Sequence, residues 1–234
     1  MNTLVKRVFV VTAAVATVTA SHAAVVVSTD FQTNGTNTLP HTYVPSANDL
    51  INGLAPTDAT GSFVQESTGG TPVLTNGAFP SPITRGDGGN FQFSAFATGG
   101  NTGGTSLTYT LTSPSNLTGI TVYGGWQDGG RDQQSYSILY ATAAAPMTFL
   151  PLTTVNFNPP DPGGQPQVTR VMITDNTGLL AANVSAVRFN FNATENGYSG
   201  YSEIDVFGTA IPEPGTFGLL GLASAGVLAF RRRR

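Results

Sequence analysis

Cysteine is absent from this 234-residue chain. Disulfides, zinc–thiolate sites and thiol catalysis are therefore excluded. Histidine is nearly absent. Of the two, His22 lies in an N-terminal segment expected to be removed, which leaves His41. One histidine cannot build a His-rich metal centre, and a Ser-His-Asp arrangement would have to use His41 in a proline-flanked stretch. Lysine is missing between positions 24 and 210. There the basic residues are Arg85, Arg131, Arg170 and Arg188, four against twelve Asp and Glu, so the segment carries −8 while the whole chain carries −3. Such a segment repels nucleic acid and anionic lipid surfaces. Calcium and neutral polymers such as polysaccharide suit it better. No glycine-rich loop is followed by a lysine and a helix, so no phosphate cradle is present.

Basic residues gather at the two ends instead. Lys6 and Arg7 precede an uncharged apolar run, Val8 to Thr19, and Ser21-His22-Ala23 places small residues before Ala24. This is the pattern of a secretion signal over 1–23 with an expected N-terminal signal helix. At the other end Pro212, Glu213 and Pro214 interrupt regular structure. Fourteen mostly apolar residues follow, Phe217 to Phe230, and four arginines close the chain. As a helix that stretch reaches about 21 Å at about 1.5 Å per residue, against a hydrocarbon core of about 30 Å. It is short for a permanent anchor and suits a transient transmembrane helix with its arginines held on the cytoplasmic side.

Residues 211–234 resemble the PEP-CTERM sorting signal, with the proline-glutamate-proline motif, apolar stretch and arginine cluster in order. The resemblance implies recognition by a membrane protease-transpeptidase, an exosortase. It also implies an inner-membrane-anchored precursor and a mature form at the cell surface or in the extracellular matrix of a Gram-negative bacterium.

Between the ends, residues 24–210 read as one all-β domain. Gly, Ser, Thr and Asn are abundant, and no stretch sustains a 3.6-residue apolar period. Short runs rich in β-branched and aromatic residues alternate with turn clusters. The clearest are Ser106 to Leu111, Gly119 to Tyr123, Ser135 to Tyr140, Val168 to Thr174, Ala186 to Phe191 and Glu203 to Phe207. Val187, Phe189 and Phe191 alternate with Arg188, Asn190 and Asn192. Tyr136, Ile138 and Tyr140 share a face, as do Ile204 and Val206. Half-buried antiparallel strands give this pattern, and an antiparallel jelly-roll β-sandwich of about eight strands accommodates it. The proline- and glycine-rich connection from Asn156 to Gln167 is expected to be irregular.

Residues from about 48 to 208 also resemble the galactose-binding-like jelly roll of the discoidin, or coagulation-factor type C, family. The carrying segments are VLTNGAF (73–79), LTGITVYGGWQDGGRDQQSYSILYAT (117–142), VTRVMIT (168–174), NVSAVRFNF (183–191) and YSEIDVFG (201–208). In several carbohydrate-binding relatives of this jelly roll, a calcium joins the opening turn to the glutamate of the last strand. The resemblance places those positions at Asn76 and Glu203. Calcium takes oxygen ligands, although Asn for the more usual Asp removes a charge. The alternative is a surface carboxylate.

Two further groups are candidate glycan-binding residues. Trp126, Asp128, Arg131 and Asp132 lie in a glycine-rich segment. Trp126 could stack on a sugar ring while Asp128 and Arg131 bond its hydroxyls, or Trp126 could be core and Arg131 a loop tie. Tyr198 and Tyr201, between glycines, could form a sugar platform or pack over a sandwich end. Arg85-Gly86-Asp87 reads as a coincidental turn. Glycoside hydrolysis needs two carboxylates about 5–10 Å apart, and no motif pairs them. The expectation is a non-catalytic exported protein that binds extracellular polysaccharide. A structural or adhesive surface protein without a glycan ligand is the alternative, and a secreted hydrolase ranks last.

Overall fold

A computed structural model describes residues 24–33, 42–65, 71–79, 96–99, 105–126, 130–192 and 199–212, with 62–65 and 96–99 as backbone alone. The signal segment 1–23 and the tail beyond Pro212, with the helices expected in them, lie outside the described residues. Among the described residues no helix is long and apolar enough to cross a membrane.

The described chain is all-β, with ten strands and one short 3-10 helix, Thr71–Thr75. The strands are β1 (Val25–Thr33), β2 (Asp58–Thr60), β3 (Ser62–Gln65), β4 (Phe96–Gly99), β5 (Thr105–Trp126), β6 (Gln134–Thr142), β7 (Ala145–Phe157), β8 (Gln167–Asp175), β9 (Ala181–Phe191) and β10 (Gly200–Ala210). They form one hydrogen-bonded network because β5 belongs to two layers. Its first half pairs with β2 and β9, continuing through β6 to β7. Its second half pairs with β8 and β10, continuing to β1 on one side and to β4 and β3 on the other. Every pairing is antiparallel.

Sequence patterning predicts two separate strands, Ser106 to Leu111 and Gly119 to Tyr123. The structure joins them into one strand of 22 residues. The link contains Pro114, which has no N–H to give to a ladder and so needs a place where a partner is missing. The β9 register provides it, jumping from Thr110 to Ser115. The Pro114 carbonyl instead accepts the Ile211 N–H at 2.7 Å.

The layers meet through apolar and aromatic side chains. Tyr201 on β10 lies 4.7 Å from Phe191 and 5.9 Å from Tyr136, centroid to centroid, although β10 pairs in the sheet with neither of their strands. Phe189 stacks on Phe191 and meets the edges of Tyr109 and Tyr136. Around these rings pack Leu107, Leu117, Ile120, Ile138, Val171, Ile173, Val187 and Ile204, all buried. The expected alternation along β9 is present: Val187, Phe189 and Phe191 face the core and Arg188 and Asn190 face out. Tyr140 is half-buried at the edge of the same core. The connection 158–166 is irregular, with Gly163 and Gly164 at positive φ.

Phe189 touches three other rings, so truncating it leaves a cavity that flanking strands cannot close. Phe189→Ala is expected to lower stability by about 3–5 kcal/mol, read as a shift of the urea unfolding midpoint without loss of cooperativity.

Candidate functional site

Two polar regions stand out, one on the outer face of β10 and one at an end of the sandwich. On β10, Ile204 and Val206 enter the core, and the residues between them face out. Glu203 and Asp205 are nonetheless fully buried. A covering segment, 43–54 with 71–79, lies over them. Its backbone is held by carboxylates: the Gly77 N–H donates to Glu203 Oε1 at 3.1 Å, and the Ser46 N–H to Asp205 Oδ2 at 3.0 Å. In return Asp49 Oδ1 accepts the Val206 N–H at 3.2 Å, and the Leu50 N–H donates to the Val206 carbonyl at 2.8 Å. Glu203 is therefore no surface carboxylate, and that alternative is corrected. Sequence reasoning singled out neither Asp49 nor Asp205. For Asp205 the signal was an acidic residue alternating with Ile204 and Val206 along one strand, but nothing showed that a loop carrying Asp49 would cover it.

Asn76 and Glu203 are brought together as the calcium expectation requires. The Asn76 side-chain carbonyl accepts the Ala78 N–H at 3.0 Å, which shapes the turn. Gly77 follows at φ +72°, where a Cβ would stand 2.8 Å from the Ala47 Cα, so only glycine fits. One oxygen each of Glu203 (Oε2), Asp205 (Oδ1) and Asp49 (Oδ2) is buried without a hydrogen-bond partner. No group of three or more His, Cys, Asp or Glu among the described residues is spaced to hold a metal. A calcium here would thus use Glu203 with amide and carbonyl oxygens of the opening turn.

A cross-strand row continues from Glu203 through Tyr123 on β5 and Arg170 on β8 to Asp30 on β1. Arg170 pairs with Asp30 at 3.1 Å and lies over the Tyr43 ring at 4.4 Å. Tyr43 and Phe79 close over Tyr123, at 6.2 and 5.2 Å between centroids. Burial, then the neighbouring Asp205 charge, pushes the Tyr123 hydroxyl up to about 12.

The second region joins segments that are distant in sequence. The Gly200 N–H donates to the Arg131 carbonyl at 2.8 Å, tying the segment after Trp126 to the start of β10. Trp126 pairs in register with Gln167. Its ring is 5 % exposed, and the Arg131 guanidinium lies over it at 4.6 Å. The indole therefore offers no open face, and the part of this stack that meets solvent is the half-buried Arg131. Around it lie buried Asp132, Gln134, Gln167, Thr169 and Ser199. Gln134 donates to the Val122 carbonyl and to Thr169, while the Gln167 side-chain carbonyl is buried without a partner.

Tyr201 corrects an expectation. It is 1 % exposed, its ring is inside the aromatic core, and its hydroxyl accepts the Ser135 N–H at 3.2 Å. A bulge between Tyr201 and Glu203 turns it inward, so it is no sugar platform. Asp128, Tyr198, Glu213 and Pro214 lie outside the described residues, as do His41 and Arg85 to Asp87.

Burial raises Glu203 from an ordinary value near 4.5 to about 9, opposed by the Gly77 N–H, with the Asp205 and Asp49 charges adding to the rise. Burial likewise raises Asp205 to about 7 and Asp49 upward. The folded chain thus holds protons that the unfolded chain releases. Stability from these groups is full below pH about 4.5 and is lost as pH rises toward 9. Urea midpoints measured in EDTA are expected to fall across this window, and Glu203→Gln is expected to flatten the fall.

Residues 210–234 match the family described as the PEP-CTERM protein-sorting motif. The sorting signal expected at Pro212, Glu213 and Pro214 is thus present, and it implies an exported, membrane-anchored precursor processed by an exosortase. No curated protein matches the chain in sequence. Among solved structures, a family 32 carbohydrate-binding module from Streptococcus pneumoniae EndoD is similar at 13 % identity and a TM-score of 0.45, covering 68 % of this chain and 99 % of that one. CBM32-3 from a family 31 glycoside hydrolase of Clostridium perfringens is similar at 14 % identity and 0.41, covering 66 % and 90 %. The F5/8 type C domain of a Bacteroides fragilis protein is similar at 20 % identity and 0.37, covering 54 % and 80 %.

Proposed function

We propose that the chain is a non-catalytic exported protein, sorted to the cell surface or extracellular matrix, whose β-sandwich binds extracellular polysaccharide. The carrying observation is the meeting of Arg131 with the start of β10 through the Gly200–Arg131 hydrogen bond. That contact sets a half-exposed guanidinium on an indole at the end of the sandwich. A guanidinium held flat on a ring keeps its N–H groups aimed along its own plane, ready for the vicinal hydroxyls of a sugar. Trp126 supports this stack from beneath. Asp128 and Tyr198, close in sequence, are the further residues we assign to the same surface.

Calcium is proposed at Glu203 and Asn76. The buried unpartnered Glu203 oxygen suits a hard cation, and a divalent ion would offset the crowded charges of Glu203, Asp205 and Asp49. Its role would be structural, fastening the opening turn to the last strand.

The structural or adhesive reading is supported by the open edges. Among the described residues β1 pairs with β8 alone and β7 with β6 alone, and both expose apolar side chains, Val26, Val27 and Phe31 on one and Met147 and Leu150 on the other.

Arg131→Ala is expected to weaken retention on immobilised extracellular polysaccharide about tenfold, the scale of one charge-assisted hydrogen bond, with an unchanged unfolding midpoint. Unaltered retention in that variant would refute the sandwich-end site. No retention of the parent chain, with or without calcium, would leave the assembly reading. For the metal, millimolar calcium is expected to raise the melting temperature reversibly with EDTA. The effect should grow as pH approaches 9, because calcium displaces the proton on Glu203, and Glu203→Gln should abolish it.

A further inference from the structure

The outer face of the layer containing β9 carries a polar surface remote in kind from the sandwich end. Five strands each contribute one residue to a single cross-strand row: Thr60 on β2, Ser106 on β5, Asn190 on β9, Ser137 on β6 and Thr154 on β7. All five are exposed or half-buried. With strands about 4.8 Å apart, four intervals give a rib about 19 Å long. That is the length of several sugar units.

The rib is ordered by its own hydrogen bonds. Thr60 Oγ1 and Ser106 Oγ are 2.6 Å apart, and Ser137 Oγ and Thr154 Oγ1 are 3.0 Å apart. In each pair one hydroxyl proton is used between the two, and the other remains for a ligand. Between the pairs stands Asn190, whose side-chain amide has no hydrogen-bond partner among the described residues. Its two N–H donors and its carbonyl are therefore available at the centre of the rib.

The neighbouring row fixes the charge. Asp58, Thr108 and Arg188 lie side by side on β2, β5 and β9. Arg188 Nε donates to Thr108 Oγ1 at 2.8 Å, Nη2 stands 3.6 Å from Asp58, and the guanidinium covers the Phe149 ring at 4.0 Å. The cation is thus offset by its own neighbour, and among the described residues the face carries no surplus charge in a domain that carries −8 overall. An anionic polymer meets no free cation here and is repelled by the domain. The rib also lacks the large apolar anchors that protein partners use. An uncharged, hydroxyl-rich, extended ligand matches both its chemistry and its shape.

We infer that this rib is a binding surface for an extended neutral polysaccharide laid across the five strands. It goes beyond the sandwich-end site and does not depend on it.

Affinity electrophoresis of the full-length chain in non-ionic detergent tests it. The gels carry hydroxyethylcellulose, galactomannan or dextran as neutral probes, and alginate as the anionic probe. Asn190→Asp keeps the volume, removes two donors and adds an uncompensated charge. A second variant, Thr60→Val with Thr154→Val, removes hydroxyls at the rib ends while keeping β-branched shape, and decides the matter if Asn190→Asp fails to fold. The expected result is retardation by at least one neutral polymer and none by alginate. Asn190→Asp should weaken it about tenfold and the double variant should weaken it measurably, while Arg131→Ala retains the rib's share. If both rib variants migrate as the parent does with unaltered circular dichroism, the rib is refuted. The sandwich end then stands if Arg131→Ala removes the retardation. No retardation of the parent in any gel overturns both sites, and equal retardation by alginate overturns the neutral ligand.

Discussion

The domain depends on one strand serving two layers. β5 gives its first half to β2 and β9 and its second half to β8 and β10, so no hydrogen-bonded boundary separates the layers. Covalent continuity through β5 ties the two layers to each other. The aromatic cluster of Tyr136, Phe189, Phe191 and Tyr201 then fills the space that the crossing encloses. The crossing also places the surfaces. Ser106 and Thr108, in its first half, enter the outer polar rows. Tyr123 joins the buried row to Glu203 and Arg170, and Trp126 ends the strand at the sandwich end.

The covering segment is the second element of the architecture, and carboxylates hold it. Loops usually satisfy their backbone through turns and water. Here Ser46, Ile51 and Gly77 donate to the side chains of Asp205, Asp49 and Glu203. Burial first, and for Glu203 and Asp205 the neighbouring acidic charges second, make these groups costly to ionise, and their raised proton affinities express that cost. Protonation relieves that cost, and the calcium proposed at Glu203 would do so there in exchange for the proton.

How much of this was legible in the sequence depended on period and range. Val187, Phe189 and Phe191 alternate strictly with polar residues, and a period of two has one physical meaning on a strand, so β9 and its inward face were readable. The crossing was not. Ser106 to Leu111 and Gly119 to Tyr123 read as separate strands, and only the gap in the β9 register shows why Pro114 is tolerated between them. Tyr201 was misread for a related reason. Its neighbouring glycines suggested an exposed loop, but a bulge after it reverses the side-chain direction, and bulges have no sequence period. The nearness of Asn76 to Glu203 was accessible through family resemblance, whereas the roles of Asp49 and Asp205 needed tertiary contacts between residues more than 150 positions apart.

The arginines bear on which ligand the domain accepts. Three of its four lie in the described residues, and each covers an aromatic ring: Arg131 on Trp126, Arg170 on Tyr43 and Arg188 on Phe149. Two of them also face a carboxylate. With no lysine in the domain, the positive charge of the described residues is held against rings and, at Arg170 and Arg188, against acids. Long-range attraction of an anionic polymer needs free cations, and the described surface offers few. What remains outward is hydroxyl, amide and the guanidinium edge of Arg131. These groups recognise hydroxyls at short range and contribute little at a distance. Under the proposed function, binding through them is expected to be weak per sugar and to depend on many sites along a chain.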